Sequence, residues 1–308
     1  MKAIRAYAYG GPERLTLEDI PDPVPGEGEV LIDVAASGVN PVDWKILEGR
    51  MKAFLPLPLP YTPGVEVSGK ISALGAGVKD FVVGDEVFGF IGIVGGYATK
   101  VVASAERLAS VPKKLSLLEA AAVPAAALTA WQALHEHAGV KPGQRVLIHG
   151  AAGGVGSMAV QLARIAGAEV IGTASSSNLE YVRQLGAMQV VDYRSESFEE
   201  SVSSVDIVLD LVGGETQDRS WSLLKAGGIL VSPVSPPDAE RARSRGVVGK
   251  HFATRSDGKQ LAALAAHFDS GEIMVDVETV FLLSRAADAL QKNLTGHARG
   301  KLVLDAAR

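Results

Sequence analysis

Short runs in which apolar and polar residues alternate fill the first third of the chain. EVLIDVAASGV (29–39), VSGKISALGAGV (67–78), VKDFVVGDEVFGF (78–90) and YATKVVAS (97–104) carry β-branched and aromatic residues between Gly, Pro or charged pairs. This pattern predicts half-buried strands in a sandwich or partly open barrel. The texture changes at Ser116, where Ser-Leu-Leu-Glu opens an Ala-rich apolar run with Ser116 as N-cap and Glu119 three residues on. RVLIHG (145–150) then reads as a strand, GSMAVQLARIAGA (156–168) as a helix and EVIGTAS (169–175) as a strand, and LEYVRQLGA, QVVDY, VDIVLDLVGG, SWSLLKAGG and ILVSPVS continue the alternation to position 235. Strands alternating with helices at this spacing specify a parallel sheet covered on both faces. From Glu272 the strict alternation stops, with MVDVETVF, a short helix LSRAADALQKNL and a last strand GKLVLDA. The expected fold is therefore α/β in two domains: a β domain over 1–115, completed by 272–308, and a doubly wound domain over 116–271.

Composition supports an ordinary globular chain: 308 residues with 47% hydrophobic and 21% charged content exceed one typical core and argue against disorder. The net charge of −5 has both signs interspersed, which offers no basic footprint for nucleic acid or an anionic membrane. The amino-terminal stretch MKAIRAYAYGGPERLTLEDI lacks a signal-peptide core. The apolar run from Leu117 to Leu134 is broken by Glu119, Pro124 and Gln132, so a cytoplasmic protein without a membrane helix is expected. Zero cysteines exclude disulfides, thiolate zinc sites and cysteine nucleophiles. His135 and His137, two apart on an expected helix, do not share a face and read as solvated helix residues rather than a metal pair.

One segment carries recognisable chemistry. In His149-Gly150-Ala151-Ala152-Gly153-Gly154-Val155-Gly156, glycines at 150, 153 and 156 recur every three residues between an expected strand and an expected helix. Small residues there let the backbone approach a pyrophosphate, Gly156 permits close helix packing, and the helix N-terminus presents free N–H groups. The next strand ends without the Asp or Glu that would accept the ribose hydroxyls of NAD. It offers Ala174-Ser175-Ser176-Ser177-Asn178 instead, which favours NADPH because a carboxylate repels a 2′-phosphate. The loop itself holds no Arg or Lys; Arg183 and Arg194 are the nearest cations.

Several separated motifs occur in order: Asn40-Pro41-Val42-Asp43, Pro63-Gly64-Val65-Glu66, Val83-Gly84-Asp85-Glu86-Val87, Ala127-Leu128-Thr129-Ala130, the glycine turn, and Gly300-Lys301-Leu302-Val303-Leu304. On these the whole chain resembles the zinc-independent, ζ-crystallin-like quinone oxidoreductases of the medium-chain dehydrogenase/reductase superfamily, especially the branch with plant enone oxidoreductases. The resemblance implies a GroES-like β-barrel domain, a Rossmann domain binding NADPH, and hydride transfer to a quinone or the C=C of an α,β-unsaturated carbonyl. It also implies a homodimer. At the places of Asn40 and Val65 the zinc-dependent relatives carry a cysteine and a histidine ligand, so no metal is expected.

By the same resemblance Lys45 and Asn40 are the candidate catalytic residues, Lys45 approaching the nicotinamide ribose and the acceptor oxygen. Lys45, Thr129, Gly150, Ala152, Gly153, Gly154, Val155, Gly156, Ser175, Ser176, Ser177, Asn178, Tyr193, Leu211, Val212, Pro233, Val234, Gly300 and Lys301 are the candidate cofactor contacts. Trp44, Phe54 and Tyr61 could line an acceptor pocket or simply pack. An enoyl-thioester reductase and a non-catalytic NADPH-binding protein are the alternatives, and an alcohol dehydrogenase is disfavoured by the missing zinc ligands.

Overall fold

The computed structural model describes all residues, Met1–Arg308, in two compact units: 1–125 with 256–271 and 275–308, and 126–255 with 272–274. No helix is long and apolar enough to cross a membrane.

In chain order the first unit contributes β1 (Lys2–Ala6), β2 (Leu15–Asp19), β3 (Glu29–Val39), β4 (Glu66–Leu74), β5 (Glu86–Phe90), β6 (Lys100–Ser104) and β7 (Leu108–Ser110). The second contributes β8 (Arg145–Ile148), β9 (Glu169–Ala174), β10 (Gln189–Asp192), β11 (Val205–Leu209), β12 (Leu224–Ser232) and β13 (Val248–His251). The chain then returns to the first unit with β14 (Val277–Leu282) and β15 (Lys301–Asp305).

The first unit builds a seven-stranded sheet in the order β14-β15-β3-β4-β5-β7, with β6 also pairing β3, beside the two-stranded β1-β2 ribbon. Its core gathers Val30, Ile32 and Val34 of β3 with Val67 and Ile71 of β4, Val87 of β5 and Leu302 and Leu304 of β15. β15 runs antiparallel to β3, Leu302 opposite Val39 and Asp305 opposite Ala36.

The second unit is a six-stranded sheet in the order β10-β9-β8-β11-β12-β13, with every pair parallel. Val146, Leu147 and Ile148 of the central β8 are fully buried, as an apolar run with no alternation requires when helices cover both faces. Strand order reverses beside β8, and in such sheets ligands bind outside the carboxyl ends of the strands at that point.

The observed division differs from the expected boundaries at 115/116 and 271/272. Ser116 does cap a helix, Leu117–Ala120, with its hydroxyl accepting from the Glu119 amide and the Glu119 carboxylate accepting from Ser116. That helix stays with the β unit because Ala121 and Ala122 pack on Ala36 and Val303. The helix Gly258–Ser270 also belongs to the β unit: a side chain at position 258 would collide with the Leu108 carbonyl of β7, and Leu261, Leu264 and Phe268 are buried. A helical pattern shows that a helix forms, not which sheet it covers.

Two local expectations also change. The segment 220–228 is a short turn followed by β12, and the helix before it is Gly214–Ser220. His135 and His137 are half-buried rather than fully solvated: their rings lie 4.1 Å from Trp131 and 4.3 Å from Phe252, on a helix that widens to a π turn over Gln132–Ala138.

Candidate functional site

β8 ends at Ile148, and the chain turns through Gly150 at φ 67°, a left-handed conformation that suits glycine. Gly153 donates to the Gly150 carbonyl at 3.0 Å and stands as N-cap of the helix Gly154–Ile165, whose first internal bond runs from the Ser157 amide to the Gly153 carbonyl. The amides of Gly154, Val155 and Gly156 therefore have no acceptor within the helix and converge on its positive end. A Cβ at Gly156 would collide with the Gly150 carbonyl and the Ala151 backbone; Ala151 and Ala152 are buried. The turn, closed on one side by its own backbone, is a fitting cradle for a pyrophosphate.

Buried polar side chains hold the loops around it. His149, 1% exposed, lies between Thr173 of β9 (Nδ1 to Oγ1, 3.1 Å) and Ser220 (Nε2 to Oγ, 2.8 Å). Burial pushes its pKa down to about 4, against an opposing pull from Asp210. Asp210, fully buried one residue beyond β11, accepts from the Val212 and Gly213 amides with Oδ1 and from Gln217 with Oδ2. Leu211 and Val212 thereby sit at the carboxyl end of β11, with Val212 half exposed. Pro233 and Val234 follow β12, where the Ser232 hydroxyl accepts from the Val234 amide. Thr129, on the helix Pro124–Trp131, shares a 2.7 Å hydrogen bond with Thr254.

At the end of β9 the serine loop is partly engaged. Asn178 donates to the Ser175 hydroxyl, which lies 3.3 Å from that of Ser177. Ser176 donates to the carboxylate of Asp192, the residue of β10 opposite Ala174. An acid thus stands beside this loop after all, supplied by the neighbouring strand. That hydrogen bond first, then one from the Arg194 amide, holds the Asp192 pKa below its ordinary value. Tyr193 is half exposed, with the Arg194 guanidinium 5.9 Å from its ring centre.

In the β unit, Asn40 lies just beyond β3 and caps the helix Pro41–Leu47. Its side chain donates to Glu66 Oε1 at 2.7 Å and accepts from Lys301 Nζ at 2.6 Å, while Lys301 also pairs with Glu66 Oε1 at 2.7 Å and donates to the Val39 carbonyl at 3.2 Å. The other Glu66 oxygen accepts from the Ala125 amide. Asp43 continues the network: Oδ2 accepts from the Asn40 amide and from the Tyr97 hydroxyl, each at 2.8 Å. Burial raises the Asp43 pKa to about 7 and drives that of Tyr97 well above its ordinary value.

Two family models match the chain, an alcohol dehydrogenase GroES-like domain over residues 26–113 and a zinc-binding dehydrogenase over 185–304. A quinone oxidoreductase of Sus scrofa is 36% identical over 99% of this chain and 97% of that protein. An NADPH-dependent alkenal/one oxidoreductase of Arabidopsis thaliana is 36% identical over 99% of this chain and 79% of its own. The Escherichia coli quinone oxidoreductase complexed with NADPH superposes with a TM-score of 0.91 at 28% identity, covering 99% of this chain and 100% of that one. The chain belongs to the quinone oxidoreductases of the medium-chain dehydrogenase/reductase superfamily.

Within that family the donor set of the β unit decides whether a zinc ion fits. Asn40 has its amide engaged in both directions, Val65 offers no donor, and the Lys301 ammonium already neutralises Glu66. These residues do not suit zinc, because the position a dication would take beside the carboxylate is held by the protein's own cation. Lys301, expected at the cofactor, directs its ammonium to three protein acceptors instead, and Gly300 before it lies against the Asp276 carbonyl. Glu66, Asp43, Tyr97, His149 and Asp210 were not anticipated as site residues. Lys45 has a different character: half-buried, its side chain with no hydrogen bond or ion pair, its Nζ 5.7 Å from the Trp44 ring centre. Burial first, then Arg50, lowers its pKa. Of the expected pocket aromatics, Trp44 donates to Asn293, Phe54 is exposed and Tyr61 is a core residue.

Proposed function

We propose that this quinone oxidoreductase family member is an NADPH-dependent reductase that delivers hydride, without zinc, to a quinone or to the C=C of an α,β-unsaturated carbonyl. The observation that carries the reading is the glycine turn after β8, with free amides at the start of the helix Gly154–Ile165. Gly150, Ala152, Gly153, Gly154, Val155 and Gly156 would hold the pyrophosphate. Ser175, Ser177, Asn178 and Tyr193 would meet the adenosine 2′-phosphate, with Ser176 tied back to Asp192. NADPH is supported by the relative named for it and by the complexed Escherichia coli neighbour. Bound there, the nicotinamide supplies the hydride. Thr129, Leu211, Val212, Pro233 and Val234 are the residues of the nucleotide unit assigned to its ring and ribose.

On the acceptor side the negative charge that follows hydride addition delocalises onto the carbonyl oxygen as an enolate or hydroquinone anion. Lys45 is assigned to that oxygen, because a partly desolvated ammonium with no hydrogen-bond acceptor or counter-ion of its own is a strong donor to a developing anion. Asn40 and Lys301 support the site by holding Glu66 neutralised. The proposal includes a cytoplasmic homodimer; the free outer edge of β13 and its exposed Val248 support self-association, and light scattering tests it.

Gly153→Asp tests the reading. A Cβ at position 153 would meet the Gly150 carbonyl at 3.4 Å, an ordinary contact, on extended backbone at φ −77°, so an Asp there should cap the helix while setting a carboxylate against the pyrophosphate. The expected result is lost NADPH binding with an equal or higher melting temperature, and parental protein that oxidises NADPH with quinones or enones. Parental protein inactive across quinones, enones, enoyl thioesters and aldehydes, or a Gly153→Asp variant that binds NADPH normally, would overturn it.

A further inference from the structure

We infer that His149, Thr173 and Ser220 form a positioning relay that sets the amide of Gly150, and with it the phosphate turn, for dinucleotide binding. The inference rests on the reading of that turn as the phosphate cradle. Hydrogen bonds alone assign the protons. Ser220 Oγ donates to the Thr216 carbonyl at 2.6 Å, so toward His149 Nε2, at 2.8 Å, it must accept. Histidine therefore carries its proton on Nε2, and the bare Nδ1 must accept from the Thr173 hydroxyl at 3.1 Å. With its proton directed to histidine, Thr173 Oγ1 turns a lone pair toward the Gly150 amide at 3.4 Å. The Thr173 carbonyl meanwhile accepts from Ala151 at 3.0 Å. Every donor and acceptor in the chain from Thr216 to Gly150 is used in one direction.

The choice of residue is otherwise unexplained. Position 149 is 1% exposed, its ring meets the edge of Phe198 at 4.7 Å, and an aliphatic side chain would bury as well without polar atoms to satisfy. What an aliphatic residue lacks is the acceptor that fixes the Thr173 rotor. The relay couples three elements, the end of β8, the end of β9 and the helix Gly214–Ser220, at the place where the turn leaves the sheet.

The test uses direct titration of NADPH by fluorescence, apart from turnover. Thr173→Val keeps the side-chain shape and the Ala151 bond but removes Oγ1; Thr173→Ser restores it. We expect Thr173→Val to weaken NADPH binding by about fivefold to tenfold, the scale of one hydrogen bond. We expect the serine variant to bind as the parent does and the KM for the acceptor to stay unchanged. His149→Gln, which can accept and donate at similar reach, should bind more tightly than His149→Leu. If Thr173→Val binds NADPH like the parent, or if Thr173→Ser is as impaired as Thr173→Val, the relay has no positioning role. The Gly153→Asp variant separates the two failures. Normal binding there removes the cradle itself, whereas lost binding there with parental binding in Thr173→Val removes only the relay. Should the histidine variants not fold, the threonine pair decides alone.

Discussion

Replacing Lys301 with Met removes one cation from the interior of the β unit and leaves its partner behind. Lys301 is 5% exposed and Glu66 fully buried. The carboxylate would keep the Asn40 and Ala125 donors but lose its only counter-ion, and the Asn40 oxygen and Val39 carbonyl would each lose a donor. Breaking a buried pair from one side typically costs about 3–5 kcal/mol, because an uncompensated charge remains. The opening constant of this unit should rise by about a hundredfold to several thousandfold. Hydrogen exchange of peptides from β3, β4 and β15 under increasing urea reads that unit by itself. Adding Glu66→Gln, an uncharged residue of the same shape, should restore stability to within about 2 kcal/mol of the parent. A Lys301→Met variant destabilised by less than about 1 kcal/mol, with no rescue by the second substitution, would refute the argument that the two residues are mutually required.

Lys45→Met should lower the single-turnover hydride-transfer rate by roughly 10²-fold, by analogy with oxyanion donors, with little change in melting temperature; parental activity should fall on the alkaline side below the ordinary lysine range, because burial lowers that pKa and the ammonium is the active form. Gly156→Ala should give unstable protein or protein without NADPH binding, checked by solubility and titration, since its Cβ would strike the Gly150 carbonyl. For His149, with a folded pKa of about 4 against 6.5 unfolded, about 3 kcal/mol of stability is full above pH 6.5 and lost as pH falls toward 4; its imidazole NMR signals should not titrate between pH 8 and 5. Asp43 acts in the opposite sense: its pKa rises from 3.8 to about 7, so its contribution is full below 3.8 and lost as pH climbs through 7, and Asp43→Asn should flatten that slope in urea titrations.

What was legible in the sequence is what depends on neighbours in the chain. The glycines at 150, 153 and 156, the Ser116 cap and the apolar run of β8 each act within a few residues, and each stands where its pattern placed it. The Glu66–Lys301 pair joins residues at opposite ends of the sequence; its one local sign is a glutamate at the head of a buried strand. Asp192 was hidden for a related reason. The rule for ribose recognition examines the end of β9, while this acid arrives from the register of β10. His149 and Asp210 follow directly after strands, but only the loops they organise show why polar residues stand there.

The position of β15 between β14 and β3 sets an order of events during synthesis. The second unit takes all but three of its residues from one continuous stretch, 126–255, and can complete its sheet as soon as that stretch has left the ribosome. The β unit cannot, because β3 waits for a partner encoded roughly 260 residues later, a delay of tens of seconds at about 5–20 residues per second. Throughout that interval the stretch of β3 from Ala36 to Val39, beyond its pairing with β6, has one edge open and Glu66 has no ammonium to meet. The nascent chain therefore carries the complete six-stranded sheet of the second unit while the sheet of the β unit is unfinished, and this unpaired edge is where a holding chaperone would act and where a stalled or truncated product would aggregate.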